Sequence, residues 1–179
     1  SLDHFPQEET QTNNLFLITG ESGIGKTTYC QQWVAAGRAV GWRVGGLLSL
    51  PVIVDGRKTA ISLLDLASGK QRPIARLRQH STVSGSVATG KWLFDPEVLV
   101  WGNKVLQRIT AVDLLIIDEL GPLEFKQGQG LQAAFELIAA GDYRLAAVVV
   151  RSSLIAPALR CWPRAKTISI SREQHDPHS

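Results

Sequence analysis

The chain has 179 residues, of which 44% are hydrophobic and 20% are charged, and its formal net charge is +3. This length predicts one domain, because a typical domain has roughly 150 residues, and the apolar fraction excludes an intrinsically disordered chain. The net charge is small and no dense block of Lys or Arg occurs, which excludes binding to a polyanion by charge alone. We expect a single folded domain over residues 1–179 with flexible tails at 1–12 and 173–179.

Cysteine and histidine patterns favour neither a zinc site nor a disulfide framework. Cys30 and Cys161 lie far apart without a C-x-x-C pair, and the four histidines are scattered. The longest apolar runs are far below the roughly 20 residues that cross a bilayer. A cytoplasmic protein without a structural metal or a membrane anchor is therefore expected.

Short apolar runs alternate with segments of helical periodicity along the chain. This alternation is typical of an α/β fold, with a mostly parallel sheet covered by helices on both sides. The first predicted elements are a strand at Leu15–Thr19, a helix at Lys26–Ala36 ended by Gly37, and a strand at Arg43–Leu50 interrupted by Pro51. An added hairpin from Val52 to Leu66, which turns at Asp55-Gly56, is followed by loop or short strands at Ser68–Gly90 and a helix at Pro96–Ile109. The next strand, Leu114–Ile117, is closed by Asp118-Glu119 and broken at Gly121-Pro122. The last predicted elements are a helix at Leu131–Ala140 ended by Gly141, a strand at Leu145–Val150, a short helix at Ser152–Leu159 and a strand at Thr167–Ile170.

One motif lies between the first predicted strand and the first predicted helix. It matches G-x-x-x-x-G-K-[ST] without a mismatch and has the sequence Gly20-Glu21-Ser22-Gly23-Ile24-Gly25-Lys26-Thr27. Its three glycines let the backbone bring its N–H groups around phosphate oxygens, and the helix that follows directs its positive end at the same anion. Lys26 would contact the β and γ phosphates, the Thr27 hydroxyl would bind Mg²⁺, and Thr28 would reach the α phosphate.

A nucleotide site also predicts an apolar strand that ends in a carboxylate able to hold Mg²⁺. Asp118 follows Leu114–Ile117 and satisfies this expectation. Glu119 comes next and is the candidate to orient or deprotonate an attacking water, which favours hydrolysis. A solvated strand end is the alternative interpretation of this acidic pair.

Cationic and aromatic side chains provide weaker candidates. Arg151 follows the strand Leu145–Val150, at the sheet edge where ligands bind, so it is the candidate for a second cation beside Lys26. An exposed arginine without a role is the alternative.

Trp33 and Trp101 are expected in the core, and Trp42 or Trp92 is the candidate for stacking on a base. A loose basic cluster, which could face phosphates, RNA or only solvent, contains Lys70, Arg72, Arg76 and Arg78.

These motifs, with others between Leu15 and Arg151, resemble the small P-loop nucleoside-triphosphatases of the thermophile type, the cancer-related nucleoside-triphosphatase family. The residues that carry the resemblance are the loop from Thr19 to Thr28, the pair Gly45-Gly46, the hairpin end Leu64–Gly69, the step Gly90-Lys91-Trp92 and the string Asp118-Glu119-Leu120-Gly121-Pro122-Leu123-Glu124. The resemblance implies a RecA-like α/β/α core with a small hairpin insertion. It also implies slow Mg²⁺-dependent hydrolysis of ATP, GTP and other nucleoside triphosphates.

Two segments differ from that family pattern. Ser49-Leu50-Pro51 stands where the family tends to have Thr and Glu, and Ser152 follows Arg151 where a His-Arg-Arg run is frequent. Nucleotide binding is expected to be retained, while the turnover rate stays open. A nucleoside or nucleotide kinase, or a nucleotide-dependent switch or assembly factor with slow hydrolysis, remains an alternative function, and the sequence leaves the oligomeric state open.

Overall fold

The computed structural model describes residues 14–78 and 87–171. The expected tails at 1–12 and 173–179 and the middle of the predicted loop Ser68–Gly90 lie outside the described residues. The elements are β1 (Asn14–Thr19), α1 (Lys26–Ala39), β2 (Val44–Val54), β3 (Arg57–Asp65), β4 (Gln71–Leu77), β5 (Val87–Thr89), β6 (Trp92–Phe94), α2 (Pro96–Gln107), β7 (Val112–Leu120), α3 (Pro122–Gln127), α4 (Ala133–Ala140), β8 (Tyr143–Val150), a 3₁₀ turn (Ser152–Leu154), α5 (Ile155–Cys161) and β9 (Lys166–Ser169).

The described strands form one sheet of nine strands in the order β5-β6-β4-β3-β2-β7-β8-β1-β9. Strands β2, β7, β8, β1 and β9 are parallel, and the remaining pairs are antiparallel. The predicted α/β class is confirmed. Because parallel strands end at the same edge, the residues after β1, β7 and β8 are brought together.

Helices cover both faces of this sheet and complete three layers. Alternate residues of β1 point to opposite faces, so Leu17 packs with α2, α4 and α5, while Ile18 packs with α1. Both side chains are fully buried. Trp33 of α1 is also fully buried and Trp101 packs partly buried against the core, as expected for both.

The hairpin is part of the central sheet and not an addition beside it. The turn at Asp55 and Gly56 has positive φ at both residues, 49° and 71°, which is the conformation that tight hairpins require. The predicted interruption at Pro51 is wrong, because β2 continues to Val54. Pairing with β7 ends at Leu47, so one side of β2 is an edge at Pro51 and its missing N–H is tolerated there.

Gly37 does not end the first helix, contrary to the prediction. Helix α1 runs on to Ala39, and Gly41, with φ of 79°, follows it. A Cβ at Gly37 would lie 3.4 Å from the Leu114 side chain. That distance is within the range of ordinary van der Waals contact, so the packing does not require glycine there. The helix is ended instead by Gly41, whose left-handed backbone lets the Trp42 N–H donate to the Gly37 carbonyl at 2.9 Å.

The segment after Asp118-Glu119 also differs from the prediction. Strand β7 continues through both carboxylates to Leu120, with a shift in its register against β8 between Ile117 and Leu120. Gly121-Pro122 begins the short helix α3 rather than only breaking the chain. Proline is well suited to the first position of a helix, where no intrahelical N–H bond is lost.

Gly46 is the position in β2 where a side chain is least tolerable. Its φ is 113°, and a Cβ would lie 1.9 Å from the carbonyl oxygen of Ile116 in the neighbouring strand β7. We expect Gly46→Ala to lower the free energy of unfolding by more than about 3 kcal/mol, since it combines a strained φ with a backbone clash. Gly69→Ala is the matched control, because Gly69 has φ of 75° with nothing near its Cβ position, and it should cost about 1 kcal/mol. Equal losses in urea titrations of both variants would contradict the expected clash.

Candidate active site

The predicted loop follows β1 and turns directly into α1. Gly23 and Gly25 have φ of 77° and 102°, a left-handed conformation that costs other residues strain. Gly25 is the N-cap of α1 and provides no side-chain cap, so the first-turn N–H groups of this 14-residue helix are directed at the loop. The geometry is that of an anion-binding helix terminus.

Lys26 is held beneath this loop. Its Nζ donates to the carbonyl oxygen of Gly20 at 2.9 Å and to that of Glu21 at 3.4 Å, and the residue is 8% exposed. Burial lowers the pKa of Lys26, while the negative charges of Glu119 and Asp118 act in the opposite direction. The ammonium group is thus poorly hydrated and close to two carboxylates, which strengthens its interaction with any anion in the loop.

Thr27 and Asp118 meet although 91 residues separate them in the sequence. The Thr27 hydroxyl donates to Asp118 Oδ2 at 2.7 Å, and the backbone N–H of Ser49 donates to the same oxygen at 3.3 Å. The Ser49 hydroxyl donates to the Asp118 carbonyl at 2.5 Å. The carboxylate is therefore fixed from both α1 and β2.

Burial also governs the ionisation of Asp118, which is 2% exposed. Desolvation raises its pKa to about 7, although the hydrogen bond from Thr27 acts to lower it. A cation placed beside this oxygen would favour the ionised form.

Glu119 and Arg151 lie at the open side of the same strand ends. Arg151 Nε is 3.4 Å from Glu119 Oε1, and the two side chains are 48% and 33% exposed. Such an exposed pair contributes little to stability. Both groups are therefore free to rearrange around a ligand.

A cavity of about 590 Å³ joins these groups. It reaches the loop at Gly20, Glu21 and Ser22, whereas Gly23, Ile24, Gly25 and Thr28 do not line it, and Thr28 is exposed in the first turn of α1. Trp92 lines the cavity and Trp42 does not. None of the basic cluster Lys70, Arg72, Arg76 and Arg78 lines it. The predicted site residues that line it together are Gly20, Glu21, Ser22, Lys26, Thr27, Asp118, Glu119 and Arg151.

Some lining residues were not identified from the sequence as site residues, among them Ser49, Lys58 and Glu124. Ser49 follows the parallel part of β2, so the rule that ligands bind beyond the carboxyl ends of strands could have found it. Lys58, on β3, approaches Lys26 closely enough to lower its pKa, but only the register of the hairpin reveals this. Glu124 belongs to the string Asp118–Glu124 that carries the family resemblance, and the resemblance implies no role for it. Leu50 and Pro51 do not line the cavity, whereas Ser152 does.

Glu124 fixes the segment that follows Glu119. It is 9% exposed and accepts hydrogen bonds from the backbone N–H of Gly121 at 2.8 Å and of Leu131 at 3.1 Å. Burial raises its pKa from 4.5 to about 7. The two hydrogen bonds connect the start of α3 to the start of α4.

A prediction about pH follows for Glu124. Since the folded state holds the proton more tightly than the unfolded state, stability is fully present below about pH 4.5 and falls as the pH rises to about 7. Glu124→Gln removes this titration, so wild type should lose up to about 3 kcal/mol more than the variant between pH 4.5 and 8. Urea titrations across this range measure how the free energy of unfolding of each protein changes with pH. Asp118 contributes equally to both proteins, so the difference between them reports Glu124. Parallel pH profiles would contradict the shift at Glu124.

Among residues 14–78 and 87–171, no helix has both the length and the apolar character that a bilayer crossing needs.

Comparison with known proteins decides the family. The sequence family described as NTPase matches residues 15–178. The chain belongs to the NTPase family. The resemblance inferred from the loop and from the string Asp118–Glu124 is confirmed, and this NTPase is an enzyme, since curated relatives are named nucleoside-triphosphatases.

Relatives of this NTPase occur among archaea. The Nucleoside-triphosphatase THEP1 of Methanosarcina barkeri is 30% identical over 139 residues, which are 76% of each chain. That of Thermococcus kodakarensis is 29% identical over 134 residues, 74% of each chain. The solution structure of a human cancer-related nucleoside triphosphatase has a TM-score of 0.69 at 19% identity, covering 90% of both chains. This structural likeness shows a shared fold.

Proposed function

We propose that this NTPase hydrolyses ATP, GTP and related nucleoside triphosphates to the diphosphate and phosphate, with Mg²⁺, at the site formed by Gly20–Thr28, Asp118 and Glu119. The observation that supports this most is the 2.7 Å contact between Thr27 Oγ1 and Asp118 Oδ2, next to the phosphate loop. These two oxygens are the groups that a P-loop enzyme directs at the metal.

The donor set fits Mg²⁺. A hydroxyl and a carboxylate are hard oxygen ligands, and Mg²⁺ in such sites takes only one or two protein ligands and completes its shell with water and phosphate oxygens. The described residues contain no group of three His, Cys, Asp or Glu side chains that would form a protein-only cage. Thr27 and Asp118 would hold the ion, which when bound neutralises charge on the β and γ phosphates.

Residues of the chain bind the phosphates, activate the attacking water and stabilise the charge of the transition state. The loop amides of Gly20–Thr28 bind the phosphate oxygens, and Lys26 exchanges its carbonyl contacts for the β and γ phosphates. Glu119 orients the attacking water and accepts its proton. Arg151 leaves Glu119 and places its guanidinium against the γ phosphate, where charge accumulates in the transition state.

We also propose that the protein is located in the cytoplasm. Both cysteines, Cys30 and Cys161, are free thiols, which is the state that a reducing cytoplasm maintains.

Phosphate release from ATP, GTP, CTP and UTP, each with and without Mg²⁺, tests the proposal. We expect release from at least ATP or GTP, and its loss when EDTA removes the metal. Undiminished release in EDTA would contradict the role given to Thr27 and Asp118. No release from any triphosphate would contradict the proposed function itself.

A further inference from the structure

The cavity beside the phosphate loop has a second half that hydrolysis does not use. Besides the polar residues of the phosphate site, apolar side chains line the cavity. They come from β3, β4, β6, the first turn of α2 and the residues just before α4, and they are Ile61, Ile74, Trp92, Phe94, Leu99 and Leu131. We call these six residues the apolar lobe. The whole cavity, about 590 Å³, is in the range of roughly 300–1,000 Å³ that small-molecule sites occupy.

The order of strands places the apolar lobe on the γ-phosphate side of the site. Across the sheet, β1 with the loop comes first, β7 with Asp118 and Glu119 follows, and β3, β4 and β6 come last. The γ end of a bound triphosphate faces the carboxylates. Thr28, our candidate for the α phosphate, lies outside the cavity. The nucleoside of the bound triphosphate therefore extends in the direction away from the apolar lobe.

Aromatic rings and cations define what the apolar lobe can hold. Trp92 and Phe94 supply two aromatic side chains. The ammonium groups of Lys58 and Lys91 lie 5.3 Å and 5.7 Å from the centre of the Trp92 ring, and both lysines are exposed at the rim. Apolar walls with cations at the rim fit a flat ring that carries electronegative atoms.

We propose that the apolar lobe is an acceptor subsite, which binds the flat ring of a nucleoside-like alcohol and directs its hydroxyl at the γ phosphate. The hydroxyl takes the place of the attacking water at Glu119. Its oxygen forms a bond to the γ phosphorus, the bond from that phosphorus to the β–γ bridging oxygen breaks, and the nucleoside diphosphate leaves. The hydroxyl proton passes to the Glu119 carboxylate, so a phosphate ester and a diphosphate are formed. This inference rests on the proposed binding of the triphosphate at residues 20–28.

Full-length protein, incubated with Mg²⁺-ATP and with adenosine, guanosine, cytidine or uridine as probe, tests the proposal. Mass spectrometry measures the phosphorylated nucleoside, and a phosphate assay measures hydrolysis in the same mixture. Ile61→Trp narrows the apolar lobe, and Lys58→Ala removes a rim cation without disturbing the core. Val52→Trp is the matched control, since Val52 lies on the same hairpin, is 38% exposed and does not line the cavity.

We expect phosphorylation of at least one probe. The ratio of transfer to hydrolysis should fall about tenfold or more in Ile61→Trp, fall less in Lys58→Ala and stay at the wild-type value in Val52→Trp. Hydrolysis without transfer to any probe would overturn the acceptor subsite and leave the proposed function intact. Transfer with the same ratio in Ile61→Trp, Lys58→Ala and Val52→Trp would overturn the apolar lobe as its location. Absence of both reactions would instead count against the proposed triphosphatase site.

Discussion

Glu119→Gln is expected to lower the rate of phosphate release by about 10²–10⁴-fold, the usual contribution of a positioned general base. Glutamine has the same shape but cannot accept the proton of the attacking water. The side chain is one-third exposed and its only hydrogen bond among those described is the long contact to Arg151, so the fold should be unaffected. Affinity for a non-hydrolysable ATP analogue should stay within about threefold of wild type, because the loop and Lys26 carry the binding.

Glu136→Gln is the control for that variant, since Glu136 is exposed on α4 and does not line the cavity. It should retain wild-type turnover. Single-turnover kinetics separate the chemical step from product release. Unchanged turnover in Glu119→Gln would remove Glu119 from the mechanism.

Lys26→Ala is expected to weaken binding of the nucleotide and also to slow turnover by about 10²–10³-fold. The ammonium contacts both the ground-state phosphates and the charge that develops on the transferred group, so both measured quantities change. Its Nζ donates hydrogen bonds to the carbonyl oxygens of Gly20 and Glu21. Those carbonyls border the cavity and water can replace the lost donor, so the variant should still fold.

Lys70→Ala is the matched control for charge, because Lys70 is exposed between β3 and β4 and does not line the cavity. Calorimetry gives the affinity and a phosphate assay gives the turnover of both variants. Equal behaviour of Lys26→Ala and Lys70→Ala would show that Lys26 has no role beyond general electrostatics.

Local sequence signals predicted the parts of the fold that local physics determines. The apolar runs of β1, β7 and β8 and the Asp55-Gly56 turn are read from consecutive residues. One failure occurred where tertiary contacts decide, since Pro51 is tolerated because one side of β2 is an edge. Another concerns Gly37, which lies inside α1 because a later glycine, Gly41, takes the left-handed conformation that ends the helix.

The candidate site shows the same division. The loop and the pair Asp118-Glu119 have fixed spacings that carry their chemistry, and the parallel order of β1, β8 and β7 explains why they meet. Ser49 and Lys58 contribute from β2 and β3, whose register depends on the whole sheet. The apolar lobe could not be predicted, because its side chains come from five separate segments of the chain.

Titration calorimetry of the full-length protein with a non-hydrolysable ATP analogue and Mg²⁺ tests the central claim most directly. A saturable heat with one site per chain, lost or strongly reduced in Lys26→Ala, is the result predicted for a triphosphate bound by the loop. Folded wild-type protein that gives no binding heat with this analogue or with its GTP counterpart would contradict the account.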